Sequence, residues 1–245
     1  MALDLTRPRR IALVSKDISK PCFGAVLGQI AELADKHQAE ALIFSLFSFW
    51  DDRSSTQPSQ RILFSRKKFL TWCLFERGSW NEDNNYRVER WEKGKNPVSF
   101  IREFARSASP PAKKIALIEK MPTDRLFGNG YAFLYCGEAG ICKISHATRK
   151  INDEYGFLPL LKKLKVRVLI DSSHTVFRRW EFKYKYQAFS SQNRTYIGLW
   201  NEKKGYRTNF PWLCYKNGKE CTEEITEIEN PIPSRKDIRI GILEI

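Results

Sequence analysis

The stretch Tyr131-Ala132-Phe133-Leu134-Tyr135-Cys136-Gly137-Glu138 ends an apolar run in a thiol, then a glycine, then a carboxylate. A buried strand that stops at a Cys-Gly turn presents its sulfur at a sheet edge, where a nucleophile can meet a substrate. The competing reading of such a cysteine is plain core packing, because free Cys is among the most buried residue types. A second candidate, His174, stands in the polar stretch Ser172-Ser173-His174-Thr175 directly after the apolar run Val166-Arg167-Val168-Leu169-Ile170. The carboxyl end of a strand is the side on which α/β sites collect. If Cys136 and His174 approach within hydrogen-bond distance, they form an activated nucleophile. A loop histidine with a purely structural part is the other reading.

These residues must be positioned by an α/β framework. Residues 9–15 read as a short buried strand. A helix follows, with Phe23, Val26, Leu27, Ile30, Ala31 and Ala34 at spacings of three and four, and then the strand Ala41-Leu42-Ile43-Phe44. This β-α-β opening implies parallel strands and a right-handed crossover. Residues 51–60 are polar and rich in Ser, as a loop should be. Residues 61–64, 69–75 and 115–118 read as strands, and residues 97–105 as a short helix. The second half repeats the rhythm. Helices are expected over residues 151–165 and 176–189, and strands over residues 166–170, 195–200, 211–215 and 238–245. No domain boundary is visible, so residues 1–245 are expected to form one domain.

The chain has 245 residues with 42% hydrophobic and 13% aromatic content, enough for a sizeable core. Its six cysteines are irregularly spaced, with no zinc-ligand pattern, and no Walker loop or dinucleotide fingerprint is present. No cofactor is therefore expected. There is no signal-peptide pattern and no apolar run long enough to span a membrane, so the expected location is the cytoplasm. The net charge of +14 is large for this size and points to polyanionic partners such as nucleic acid or an acidic protein surface, with a solvated basic surface as the competing reading. The excess is concentrated: residues 143–185 hold eleven Lys and Arg against four Asp and Glu. Within it, Arg178, Arg179 and Lys183 lie among Trp180, Tyr184 and Tyr186, the mixture of cations and rings that can hold an anion or a single strand. A helix with aromatics packed inward and lysine stems turned outward accounts for the same pattern.

The order of these elements resembles the nitrilase, or carbon–nitrogen hydrolase, superfamily. Ile11-Ala12-Leu13-Val14 with the helix to Ala34 is similar to that family's first unit. Phe133-Leu134-Tyr135-Cys136-Gly137-Glu138 is similar to its nucleophile strand. Val168 to His174, Lys185 to Ser190 with Asn193, and Thr195 to Asn201 are similar to the elements that follow. The resemblance implies an α-β-β-α sandwich and a Glu-Lys-Cys triad that hydrolyses amides or nitriles. A thiol attacks the carbon, a Glu takes its proton, and a Lys with a backbone N–H stabilises the charged intermediate.

Carried over residue by residue, Cys136 matches the nucleophile, Glu138 the acid two residues on, and Lys120 is the best candidate for the lysine, with Lys113 and Lys114 as alternatives. The first glutamate does not transfer: Phe44-Ser45-Leu46 stands where Phe-Pro-Glu is expected, and Asp51 is the nearest downstream acid. His174, Glu138 and Glu119 are the candidate replacements. Two functions follow. One is a hydrolase of amide or related C–N bonds through Cys136. The other is a catalytically degenerate module that binds nucleic acid or an acidic protein, or serves as a subunit of a larger assembly. The resemblance also implies a homodimer.

Overall fold

The computed structural model describes residues 9–46, 48–50, 64, 66–78, 87–105, 108–128, 130–174, 180–202 and 209–245. Along the chain the elements are β1 (Arg10–Ser15), α1 (Leu27–Lys36), β2 (Ala41–Phe44), β3 (Phe49–Trp50), β4 (Trp72–Gly78), β5 (Arg87–Glu92) and β6 (Val98–Ile101). Then come α2 (Pro111–Lys120), β7 (Leu126–Phe127), β8 (Tyr131–Tyr135), β9 (Lys143–Ile144), β10 (Ile151–Asn152), α3 (Phe157–Lys163), β11 (Val168–Ser173) and α4 (Trp180–Phe189). The remaining strands are β12 (Thr195–Trp200), β13 (Trp212–Lys216), β14 (Lys219–Glu220), β15 (Thr226–Glu227) and β16 (Arg239–Glu244).

Two large sheets result. The first runs β15-β16-β1-β2-β4-β5-β6, with β3 beside β4. The second runs β14-β13-β12-β11-β8-β7. Their centres are parallel: β1, β2 and β4 in one sheet, β8, β11 and β12 in the other. Antiparallel strands close the flanks.

Side-chain alternation decides what each face meets. Ile11 and Leu13 of β1 join Tyr131, Phe133 and Tyr135 of β8 in the core between the sheets. Ala12 and Val14 turn the other way, onto Ile30, Ala31 and Ala34 of α1. Ala132 and Leu134 likewise face Leu117 of α2, Phe157 and Leu161 of α3, and Phe189 of α4. The result is a four-layer α-β-β-α sandwich, as the resemblance implies. Aromatic contacts fasten its two inner layers. The Trp72 ring meets Phe127 at 5.0 Å and Tyr131 at 4.8 Å, both edge-on, and Phe100 meets Phe133 at 5.7 Å.

Three expectations need correction. The apolar run at residues 115–118 belongs to a helix, α2, entered through Pro110 and Pro111. A four-residue apolar run fits either element, and here Leu117 is buried while Ile115 is exposed. Residues 98–101 form β6 rather than a helix, with Phe100 turned into the inter-sheet core. The helix expected over residues 151–165 is the shorter α3. Asp153 stops it from extending backwards, because its carboxylate accepts from the Phe157 N–H at 2.8 Å and the Leu158 N–H at 2.7 Å. Pro159 then falls in the first turn, where its missing N–H is harmless. The strand expected over residues 61–64 falls largely outside the described residues, as do Asp51 and the loop over residues 51–60.

Because Trp72 joins both sheets, Trp72→Ala should cost about 3–5 kcal/mol, the range for emptying a large aromatic site. Chemical denaturation should show the midpoint falling with the m-value unchanged; an unaltered midpoint would show that the sheets are held elsewhere.

Candidate active site at the carboxyl ends of the strands

The carboxyl ends of the parallel strands of both sheets meet, and polar side chains gather there. The Ser15 hydroxyl donates to the Trp200 carbonyl at 2.7 Å, and the Ser172 hydroxyl to the Phe44 carbonyl at 3.4 Å, each bond crossing from one sheet to the other. Asn201 donates to the Leu46 carbonyl and accepts from the Ser45 hydroxyl. Buried polar groups need partners, and these serve each other across the sandwich.

Three side chains in this band can do chemistry together. Cys136 follows β8, is partly exposed, and rests against the inter-sheet core. His174 follows β11, two strand ends in one sheet whose registers pair Tyr135 with Ser172. The Cys136 sulfur is a neighbour that raises the proton affinity of the His174 imidazole. The imidazole also meets Glu76 of β4 in the opposite sheet, with Nε2 at 3.3 Å from the carboxylate. Glu76 is 1% exposed and His174 19%. Burial alone would disfavour the imidazolium. The interactions with sulfur and carboxylate, with the charge of Glu76, outweigh it and lift His174 to about 9. The Tyr135 ring meets the imidazole edge-on at 6.1 Å, and Arg102 lies over that ring at 5.8 Å.

Glu76 escaped the sequence analysis. It stands 98 positions from His174, and nothing in sequence order joins them. The usable signal was alternation: Trp72 and Leu74 face the inter-sheet core, so the next residue of that parity is an acid pointing inward at a strand end. Leu46, at the place where the resemblance expects a glutamate, is buried in the same core. β4 lies directly beside β2, so the carboxylate of this site arrives from the neighbouring strand.

Glu138 is also buried, and all its capacity is spent. Its two oxygens take both Arg125 Nη groups at 2.9 and 3.0 Å, the Glu103 N–H at 2.7 Å and the Tyr135 N–H at 2.8 Å. Burial pushes its carboxyl up to about 7, and Arg125 with the N–H donors opposes that rise. These contacts fix the turn that carries Cys136. That turn needs Gly137, which has φ +89°; an added Cβ would lie 2.3 Å from the Ala105 carbonyl oxygen. On the outer face of β11, burial pushes Asp171 up to about 7, while the Tyr196 hydroxyl, donating at 2.7 Å, opposes the rise.

The other predicted residues lie elsewhere. Lys120 ends α2, is 43% exposed, and donates to Glu103 at 2.7 Å. Lys113 and Glu119 are exposed, and Lys114 lies over the Tyr155 ring at 5.2 Å. Lys183 is exposed on α4, whereas Arg178 and Arg179 lie outside the described residues. On the same helix, buried Lys185 donates to the Ala139 carbonyl at 3.1 Å, just past the thiol turn. Among the described residues no group of three or more His, Cys, Asp or Glu could hold a metal ion, and no helix is long and apolar enough to cross a membrane.

No family model matches this sequence, and no curated protein is similar to it in sequence. Solved structures do match it. An amidase from Nesterenkonia sp. covers 97% of this chain and 92% of its own, at 11% identity and a TM-score of 0.55. A cysteine-to-serine mutant of the Nesterenkonia AN1 amidase, described as belonging to the nitrilase superfamily, matches at 10% identity over 97% and 91% of the two chains, with a TM-score of 0.56. A glutamate-to-leucine mutant of that amidase carries the acetamide moiety of fluoroacetamide covalently at its active-site cysteine, and matches at 9% identity over 97% and 90%, with a TM-score of 0.54. At such low identity the likeness speaks for architecture. The chain has the nitrilase-superfamily fold, in a strongly divergent sequence.

Proposed function

We propose that this chain is a cysteine hydrolase of amide or related C–N bonds, with Cys136 as nucleophile, His174 as proton carrier and Glu76 as the group that orients and charges the imidazole. The observation that supports this reading is an imidazole 3.3 Å from a buried carboxylate, with a partly exposed thiol at the neighbouring strand end acting on it. Residues that touch in this order are the general pattern of an activated nucleophile.

The chemistry follows from the charges. At neutral pH the imidazole holds a proton, and the sulfur attacks in its thiolate form, the nucleophilic form of any thiol. The S–C bond forms, negative charge moves onto the carbonyl oxygen, and the Gly137 N–H next to the thiol is the nearest backbone donor for it. As the tetrahedral intermediate collapses, the C–N bond breaks and His174 gives its proton to the leaving nitrogen. The neutral imidazole then takes a proton from water, which attacks the thioester and frees the acid and the thiol. Glu138 and Arg125 serve by holding the turn. The similar amidase supports the choice of reaction. Its glutamate-to-leucine form still carries an adduct on the cysteine, so a chain with Leu46 can keep a reactive thiol in this fold.

Brief treatment with iodoacetamide, read by peptide mass spectrometry, should label Cys136 ahead of the other five cysteines, four of which are buried. His174→Ala should slow that labelling, and the hydrolysis of small aliphatic amides, by about 10²–10⁴-fold, the usual worth of a positioned proton carrier. Glu76→Gln should cause a smaller loss. Preferential labelling of Cys22, or labelling of Cys136 that ignores His174, would remove the enzymatic reading.

The raised imidazole also makes a stability prediction. A group whose folded-state value is lifted from 6.5 to about 9 adds stability that is complete below 6.5 and is lost as pH rises through 9. Denaturation of the intact chain at pH 6 and pH 9.5 should therefore differ by ~2–3 kcal/mol more than that of His174→Ala. Equal pH dependence in the two proteins would place the imidazole outside the ion pair.

A further inference from the structure

The opposite ends of the same strands hold a second feature. An open cavity of about 870 Å³ lies where β8, β11 and β12 begin, lined by Lys162, Lys165, Arg167, Gln192, Asn193 and Arg194 among others. A smaller cavity of about 190 Å³ shares Arg167 and Asn193 and adds Arg9. Neither wall contains an Asp or Glu. In the larger cavity four cations therefore face one concave surface, and concave walls focus such a field.

Arg194 is the most informative of the four. Its side chain is buried, yet among the described residues it has no carboxylate partner. Nε donates to the Val166 carbonyl at 3.3 Å and Nη1 to the Phe189 carbonyl at 2.8 Å. Two carbonyls orient the planar fork without neutralising it, and burial pushes the guanidinium down for want of a counter-charge. Among the described residues Lys162 and Lys165 make no ion pair either, although the chain pairs many of its other cations. An oriented, uncompensated guanidinium beside two exposed ammonium groups is suited to oxyanions, the Arg194 donors left over from the two carbonyls and the lysines acting together. The larger cavity has no aromatic residue in its wall, so it lacks a platform on which a nucleobase could stack.

We propose that this groove binds a soluble ligand carrying two or more phosphate groups, held by Arg194, Lys162, Lys165 and Arg167 through its phosphates alone. The site is separate from the Cys136 chemistry and does not depend on it.

Isothermal titration calorimetry of the full chain with inorganic tripolyphosphate at low salt tests this. One ion should bind per chain, with an affinity that falls as salt rises. The double variant Lys162→Ala/Lys165→Ala should weaken binding by about tenfold or more. Lys20→Ala/Lys236→Ala, which removes the same charge from exposed positions elsewhere, should leave it unchanged, as should Cys136→Ser. Arg194→Gln should abolish binding; if that variant fails to fold, the lysine pair decides alone. No binding up to ~1 mM, or equal weakening by the two lysine pairs, would overturn the site in favour of diffuse surface charge. A single-stranded RNA oligomer that binds about tenfold more tightly than tripolyphosphate through Lys162 and Lys165 would overturn the soluble ligand in favour of nucleic acid.

Discussion

One imidazole bridges the two halves of this molecule. His174 and Cys136 follow neighbouring strands of one sheet, and Glu76 lies in the later half of β4 in the other. The bond from Nε2 to the carboxylate therefore crosses the sandwich interface, in company with the serine and asparagine bonds around it. A buried carboxylate is costly unless it is paired, and the imidazolium is the partner that relieves Glu76. The same pairing holds a proton next to the sulfur. In the proposed mechanism, stability and reactivity rest on one contact, which depends on the register and stacking of both sheets.

The thiol is held from behind by a different arrangement. Glu138 is wrapped by Arg125 and two backbone N–H groups, so it acts on the turn rather than on a substrate. Gly137 permits the turn only because it has no side chain to strike Ala105. Breaking a buried pair of this kind leaves a charge without relief and typically costs more than the pair contributes. The turn that carries Cys136 is thus fixed from behind, while the cysteine itself stays partly exposed.

Much of the architecture was legible in the chain. Strict alternation in Ile11 to Val14 and in Tyr131 to Tyr135 fixes which residues fill the inter-sheet core and which meet helices, and that alone demands two sheets between two helical layers. Short runs were less legible. Ile115 to Ile118 fits a strand or a helix equally well, and only the tandem prolines before it and the burial of Leu117 separate the two. Of the site, Cys136 and His174 could be named because each follows an apolar run that must be a strand. Glu76 could not, since its partner is 98 positions away and proximity across a sandwich leaves no trace in sequence order. The cluster around Arg194 was only half visible: Lys162, Lys165 and Arg167 form one basic run in sequence, but Arg194 joins them only because β12 lies beside β11.

The central claim is that Glu76 and Cys136 keep a proton on His174. The chain has three histidines, so their imidazoles can be followed individually by nitrogen-15 NMR across a pH titration. The account predicts one imidazole titrating near 9, assigned to His174 by its loss in His174→Ala and moved downward in Glu76→Gln. A His174 imidazole that titrates at or below about 7 in the intact chain would contradict it.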